Sequence, residues 1–268
     1  MGLLDLPFIQ NAIIGGILIA ILLSILSLFI YLKNWSFINV GISHATFGGL
    51  AVGFYLGISP TLLGMLFAVI IGVLIGYISR KGNIHEDTSI GVLFSLSMAF
   101  GVIVITLSPN YNTDLFTFLF GNILTISRKD IIMLSVFTLV SIIFIYFSFR
   151  KIMFCCYNEE VAYVSGINTT FYYYSLIVII AIATVLSVKL VGVILSSAMM
   201  IIPAAFANQF YWHYKGILAF SVFFSIAMVL VGIYISFILD LPSGATIVFI
   251  YSAMFVAVVA LKKLLKKG

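Results

Sequence analysis

The sequence predicts an all-α protein whose helices span a lipid bilayer, and two observations support that prediction. The 268 residues are 63% hydrophobic and only 8% charged, whereas a soluble domain carries roughly 25% charged residues. The apolar residues also come in blocks of roughly 18 to 22, the length that crosses about 30 Å of hydrocarbon as a helix. Blocks such as residues 12–32 do not alternate apolar with polar positions, which excludes the strands of a membrane β-barrel.

Charged, proline and glycine residues divide the chain into about nine candidate spans. The second span contains polar residues that a hydropathy scan underrates, and the sixth and seventh run together around Lys189. No soluble domain remains between them, so we predict a single transmembrane domain over residues 1–268. The predicted spans are residues 12–32, 40–57, 61–79, 88–108, 131–149, 171–189, 190–207, 217–238 and 244–261.

The distribution of lysine and arginine predicts the orientation of these spans. Basic residues accumulate in cytoplasmic loops, and a chain that starts outside places ten of them on one side and three on the other. The minority is Arg128, Lys129 and Lys189. We therefore expect a multi-pass membrane protein with its N-terminus outside and its C-terminus in the cytoplasm.

The net charge of +5 does not indicate a nucleic-acid partner. Four lysines follow the last apolar block, where a basic tail faces the cytoplasm and the anionic headgroups of membrane lipid. They are Lys262, Lys263, Lys266 and Lys267.

Sequence motifs of a self-contained enzyme are missing. The chain has no G-x-x-x-x-G-K-[ST] loop for a nucleotide, and it has no Ser-His-Asp arrangement or H-E-x-x-H motif. If transport is driven by ATP, a separate polypeptide must supply the ATPase. The adjacent Cys155 and Cys156 lie beside basic residues and are expected to be inert thiols rather than a disulfide or a zinc site.

The second span holds the most informative residues, because polar groups in a bilayer are costly unless they are paired. Asn39, Ser43 and Thr46 are spaced to share one helical face, with His44 one residue away. Imidazole is a common ligand for transition metals and can exchange a proton near neutral pH. His44, with Asn39 or Ser43, is therefore a candidate for metal passage, and a histidine hydrogen-bonded between packed helices is the alternative.

Glycines at four-residue spacing follow this stretch at Gly49, Gly53 and Gly57. Small residues at that spacing let membrane helices approach closely. We expect them to pack the second span against the third through a tight turn at Gly57.

Two acidic segments are expected at span ends. Asp87 or Thr88 is suited to cap the fourth span, while His85 with its acidic neighbours makes a poor metal site. A short interfacial helix that ends at Gly166 explains the acids at Glu159 and Glu160. Asp114 and Asp240, predicted outside, are expected to be solvated.

Five short motifs, in this order along nearly the whole chain, make the sequence similar to the membrane permease subunits of metal-ion ABC importers, the ABC-3 family. They are Gly41 to Ala45 with Phe47 to Gly49, Glu86 to Gly91, Leu119 to Leu124, Val191 to Leu195 continuing through Met200 to Ala205, and Leu241 to Ala245.

The resemblance implies a fold like that of vitamin B12-type importers and a permease that pairs as a homodimer. It also implies two cytoplasmic ATPase subunits and an extracellular or periplasmic solute-binding protein that delivers the metal. Zinc or manganese is the favoured cargo, with iron open, and no bound cofactor is expected. His44 corresponds to the family histidine in the translocation path. The helix that couples the permease to its ATPase corresponds to Pro203, Ala204, Ala205, Asn208, Gln209, His213 and Lys215.

One position departs from the family pattern. Many members carry an aspartate four residues before the histidine, where this chain has Val40. We therefore expect a neutral pathway at His44 rather than an aspartate-histidine site. Two other functions stay open: an ABC importer of a metal chelate or vitamin, and a secondary transporter, although the latter needs intramembrane acids that the spans hardly contain.

Overall fold

A computed structural model describes residues 7–82, 84–107, 121, 123 and 126–265. Nine helices and no strand lie in these residues, which confirms the predicted all-α class there. Asp114, Lys266, Lys267 and most of the 119–124 motif lie outside them. The helices are α1 (Pro7–Lys33), α2 (Ile38–Leu56), α3 (Pro60–Gly82), α4 (Glu86–Thr106), α5 (Arg128–Tyr157), α6 (Glu159–Val164), α7 (Thr169–Ala207), α8 (Tyr214–Leu239) and α9 (Ser243–Leu265).

Seven of these helices are long and apolar enough to cross a membrane: α1, α3, α4, α5, α7, α8 and α9. Helix α2 is not among them, although it has 19 residues, because its polar residues lower its hydropathy as expected. The predicted sixth and seventh spans form α7, whose 39 residues are interrupted at Gly192 (φ 82°, ψ 166°). That backbone conformation is open to glycine alone, and it lies three residues beyond the predicted junction at Lys189.

The ends of two helices follow the sequence predictions. Helix α2 ends where Gly57 adopts a left-handed conformation (φ 66°), and Pro60 then begins α3. Helix α6 starts at Asn158, whose Oδ1 accepts a hydrogen bond from the Val161 N–H at 3.0 Å, and the chain leaves it at Gly166 (φ 81°). Both glycines adopt a backbone conformation that side chains disfavour.

The predicted cap of α4 is wrong. The residue before the helix is His85, no side chain caps it, and Asp87 and Thr88 lie inside the first turn. Acidic residues in that turn still face the positive end of the helix dipole.

The helices form two compact units, each built from segments separated in the sequence. The first unit contains Met1–Tyr31, Phe116–Ile142 and Lys189–Gly268. The second contains Leu32–Leu115 and Ile143–Val188.

In the second unit, α2 packs against both α3 and α4 through glycine contacts. A Cβ atom at Gly49 would lie 2.5 Å from the Leu63 carbonyl oxygen, and one at Gly53 would lie 2.6 Å from the Pro60 Cα. Toward α4, a Cβ at Gly41 would lie 2.4 Å from the Ile90 side chain. The helix backbones are therefore closer than any side chain at these positions permits.

In the first unit, aromatic stacking and two hydrogen bonds join α1, α7, α8 and α9. Phe206 stacks on Phe224 with ring centroids 3.9 Å apart, and the Tyr251 hydroxyl donates to the Ser225 carbonyl at 3.2 Å. The Ala204 N–H, one residue after Pro203, donates to Ser27 Oγ at 3.1 Å. This bond joins α7 to α1 next to Pro203, which has no N–H of its own to donate.

Each unit also holds an ion-paired cluster at a helix end. In the second unit, Glu159 pairs with Arg80 and with Lys33, the latter at 3.5 Å, and the Arg80 guanidinium lies 4.2 Å from the Tyr173 ring centre. In the first unit, Lys189 Nζ lies 2.8 Å from Asp130 Oδ1. In each cluster, the paired residues are predicted to lie on the same side of the membrane.

Candidate functional site in the second helix

Three of the four polar residues of α2 are buried inside the second unit. Asn39, Ser43 and Thr46 are at most 1% exposed, whereas His44 is half-buried. The remaining buried residues of α2 are glycine, alanine, isoleucine and one phenylalanine, Phe47. The polar groups thus sit among close-packed helices, where each requires a partner.

The Asn39 side chain has such a partner on α7. Its Oδ1 accepts a hydrogen bond from Thr184 Oγ1 at 2.6 Å, and both residues are buried. This bond links α2 to the first segment of α7. An asparagine carbonyl held in this way positions the helix, and the hydrogen bond from Thr184 occupies one of its two lone pairs.

Ser43 and Thr46 differ in how their hydroxyls are satisfied. Thr46 Oγ1 donates to the Ile42 carbonyl at 2.8 Å, within its own helix. Ser43 Oγ is buried and has no hydrogen-bond partner among the described residues. An unsatisfied hydroxyl in this position can meet a water molecule or a passing ion.

His44 lies on a different side of α2. Its ring packs edge-to-face on Phe94 of α4, with centroids 5.0 Å apart. Because successive residues of a helix are about 100° apart, His44 is roughly 140° around the helix from Asn39. The three candidate ligands therefore do not converge on one point, and the site is an imidazole with neutral groups spread around one helix.

The acidic segments do not complete a metal site. His85 and Asp87 are exposed at the start of α4. Within the part of the chain that the structure describes, no three His, Cys, Asp or Glu side chains are grouped as metal ligands. Cys155 and Cys156 are free thiols near the end of α5.

The predicted coupling segment is not a helix of its own. Pro203, Ala204 and Ala205 belong to the last turns of α7. Asn208, Gln209 and His213 lie in the connection that follows, and Lys215 is the second residue of α8. Pro203 and Ala204 are buried, while Asn208 is exposed and its Nδ2 donates to the Tyr31 hydroxyl at 2.8 Å. Three consecutive turn residues and the extended backbone of His213 interrupt the helix here. The accessible part of the predicted coupling segment is therefore the connection between α7 and α8.

Sequence reasoning missed Thr184 and the Glu159 cluster. Thr184 stands in a long apolar run and carries no motif. The one available signal was that a buried Asn39 needs a polar partner from another span.

Comparison with known proteins gives consistent matches over the whole length. The profile of the ABC 3 transport family matches residues 5–262. The manganese transport system membrane protein MntC of Halalkalibacterium halodurans is 32% identical over 254 residues, which cover 94% of this chain and 87% of that protein. A Haemophilus influenzae protein named "Probable iron transport system membrane protein" is 31% identical, with 97% and 96% covered.

A solved structure is similar at the level of the fold and of the sequence. A chain of PsaBC from Streptococcus pneumoniae, determined in complex with Fab, superposes with a TM-score of 0.83 and 31% sequence identity. The match covers 96% of this chain and 92% of that one.

Proposed function

This chain belongs to the ABC 3 transport family, and from that premise we propose that it is the permease of an ATP-driven importer that brings a divalent metal ion into the cytoplasm. Manganese is the cargo we favour, because the relatives compared above include one named for manganese transport. A relative named for iron keeps iron open, and zinc stays open as well.

The observation that supports metal passage is the half-buried His44 in a glycine-packed helix. A conduit must bind an ion well enough to admit it and weakly enough to release it. One imidazole, with the unpartnered Ser43 hydroxyl at a separate point on the same helix, meets that requirement better than a closed cage of ligands. Because Asn39 is buried and its carbonyl accepts a hydrogen bond from Thr184, we assign it mainly to positioning α2.

The proposed partners are those of the family, and the need for a separate ATPase also agrees with the sequence. The sequence contains no nucleotide-binding loop, so separate ATPase subunits hydrolyse ATP, and a solute-binding protein delivers the metal. A second copy of the permease completes the translocation path. We propose that the ATPase contacts the connection at Asn208, Gln209, His213 and Lys215, while the buried Pro203 and Ala204, with the partly buried Ala205, anchor it.

The orientation has the N-terminus outside and the C-terminus in the cytoplasm. Lys33 and Arg80 meet at Glu159, and Lys189 meets Asp130. Both groupings agree with the positive-inside assignment of these residues, in which the first group is cytoplasmic.

Uptake of radiolabelled manganese, zinc and iron tests the function. A metal-uptake-deficient bacterium expresses the chain with its neighbouring ATPase and binding-protein genes, or without the ATPase. We expect ATPase-dependent accumulation of one metal, and we expect His44→Ala to reduce it about ten-fold or more, the range seen when groups that tune a metal site are removed. His85→Ala, which changes an exposed histidine outside α2, is the matched control.

Each failure of this experiment has a separate meaning. Full uptake by stable His44→Ala protein removes His44 from the pathway. Uptake that persists without the ATPase supports a secondary transporter. No metal uptake by an assembled complex favours a chelate or vitamin cargo.

A further inference from the structure

A small cleft in the second unit lies between the α1–α2 connection, the end of α5, the start of α6 and the first turns of α7. The enclosed space is about the size of one water molecule, so a ligand as large as a phosphate group does not fit it. The lining includes two charged residues, two aromatic residues with a polar atom, and apolar neighbours: Lys33, Glu159, Trp35, Tyr173, Ile152 and Leu176.

The two aromatic residues bring buried hydrogen-bond donors to this cleft. Trp35 is 1% exposed and Tyr173 is 5% exposed. Neither the Trp35 Nε1 nor the Tyr173 hydroxyl has a hydrogen-bond partner among the described residues. Their rings pack edge-to-face with centroids 5.2 Å apart. Because a buried donor without an acceptor is costly, both groups need an acceptor, and one acceptor in the cleft can serve both.

The charges around the cleft balance one another. Lys33 and Arg80 both pair with Glu159, and Glu86 is close enough to act electrostatically on the Tyr173 hydroxyl. Two cations thus meet two carboxylates, and an added anion would find no net positive charge to neutralise. The ligand that fits is a small neutral molecule that both accepts and donates hydrogen bonds.

We propose that this cleft binds one water molecule, held tightly as part of the folded protein. The water oxygen accepts hydrogen bonds from the Trp35 N–H and the Tyr173 O–H. The same water donates to the Glu159 carboxylate, whose oxygens have lone pairs left beside the two ion pairs. A buried water typically makes about three hydrogen bonds and is costly to remove. The proposal goes beyond the transport function, because it holds whatever the cargo is.

This water would join α6 to α7 and to the α1–α2 connection. Helix α6 has only six residues, and Ala162 is the one that is buried. Polar contacts of Glu159 therefore hold much of this helix in place. Loss of the water should loosen α6 even when the substituted residue lies on another helix.

Tyr173→Phe tests the water, because it removes the hydroxyl and keeps the ring. Tyr251→Phe is the matched control: Tyr251 is 0% exposed, and its hydroxyl has a protein partner in the Ser225 carbonyl. The complete transporter with its ATPase is heated, and the permease chain that stays soluble is quantified through a tag. We expect each variant to lower the midpoint temperature by about 2–4 °C. If Tyr173→Phe raises the midpoint or leaves it unchanged, the hydroxyl has no partner and the proposal is overturned.

Hydrogen–deuterium exchange in the same complex shows where the loss is felt. Tyr173→Phe should speed the exchange of the amides of Glu159–Val164 at least about two-fold, since local opening follows the loss of local contacts. Tyr251→Phe should leave these amides unchanged. Unchanged exchange in Tyr173→Phe would overturn the link through Glu159.

A cryo-EM map of the wild-type complex that resolves ordered water tests the ligand directly. We expect a peak within about 3 Å of both Trp35 Nε1 and the Tyr173 oxygen, and a map without it contradicts the proposal. Replacing chloride by gluconate should not change the midpoint temperature. If it lowers the midpoint of the wild type but not that of Tyr173→Phe, the cleft binds an anion instead. None of these measurements depends on metal uptake, so failure here is distinct from failure of the transport function.

Discussion

Helices α2 and α9 belong to different units and interact with their surroundings in opposite ways. Twelve of the 19 residues of α2 are buried, and its polar residues keep it out of the set of strongly apolar helices. Helix α9 is apolar enough to belong to that set, yet only 11% of its most apolar stretch is buried. Hydropathy alone therefore does not separate lipid-facing from buried helices, because α1 and α7 are among the most apolar helices and yet 67% and 72% of their most apolar stretches are buried. In α2 it is the polar and glycine residues that indicate packing inside the protein.

The largest expected effect in this comparison comes from enlarging a glycine of α2. Gly49→Leu should prevent folding or destabilise the protein by more than about 3 kcal/mol, because the new side chain overlaps the Leu63 carbonyl and Phe67. The yield of monodisperse protein in detergent and the free energy of unfolding in an SDS titration measure this.

Gly91→Leu is the matched control on α4. A Cβ at Gly91 meets no atom within 4 Å, so the variant should lose only about 0.5 kcal/mol or less. If Gly49→Leu proved as stable as Gly91→Leu, α2 would not pack against α3 as described.

A smaller effect is expected from removing the polar contact of α2. Thr184→Val keeps the shape of the side chain but leaves the buried Asn39 Oδ1 without the donor that lies 2.6 Å away. We expect a loss of about 1–3 kcal/mol in the same unfolding measurement.

Thr246→Val on α9 tests whether this loss is specific to a contact between helices. The Thr246 hydroxyl donates to the Pro242 carbonyl, which also accepts the Thr246 N–H. That carbonyl stays satisfied, so the loss should be below about 0.5 kcal/mol. Equal losses in the two variants would mean that the Asn39–Thr184 bond adds nothing beyond a local hydrogen bond.

These contacts show which features the sequence alone can predict. Long apolar runs and local turn residues set the helices, so α1, α3 and the turn at Gly57 were predictable. The second helix was found despite its hydropathy, because Asn39, Ser43 and His44 are informative where apolar residues are expected. The partner of Asn39 was not predictable, since nothing local in an apolar run distinguishes Thr184 from a threonine that bonds its own helix.

Two further features depended on the three-dimensional arrangement. The break in α7 at Gly192 adjoins Gly121, where a Cβ would lie 2.2 Å from the Gly192 nitrogen. A contact between residues some 70 positions apart cannot be recognised from the local sequence pattern. The separation of Asn39 from His44 around α2 has a simpler cause, because five residues of helix turn the second side chain away from the first.

The smallest effect is expected on α9. Phe249 is 75% exposed, so Phe249→Leu should change the free energy of unfolding by no more than about 0.5 kcal/mol in detergent. Phe47→Leu on α2 is the matched change, because Phe47 is 7% exposed and packs with Ala51 and Ile105. Repacking a buried ring commonly loses about 1 kcal/mol or more. A large loss at Phe249 would mean that another surface covers this face of α9, since lipid and detergent accept leucine as readily as phenylalanine.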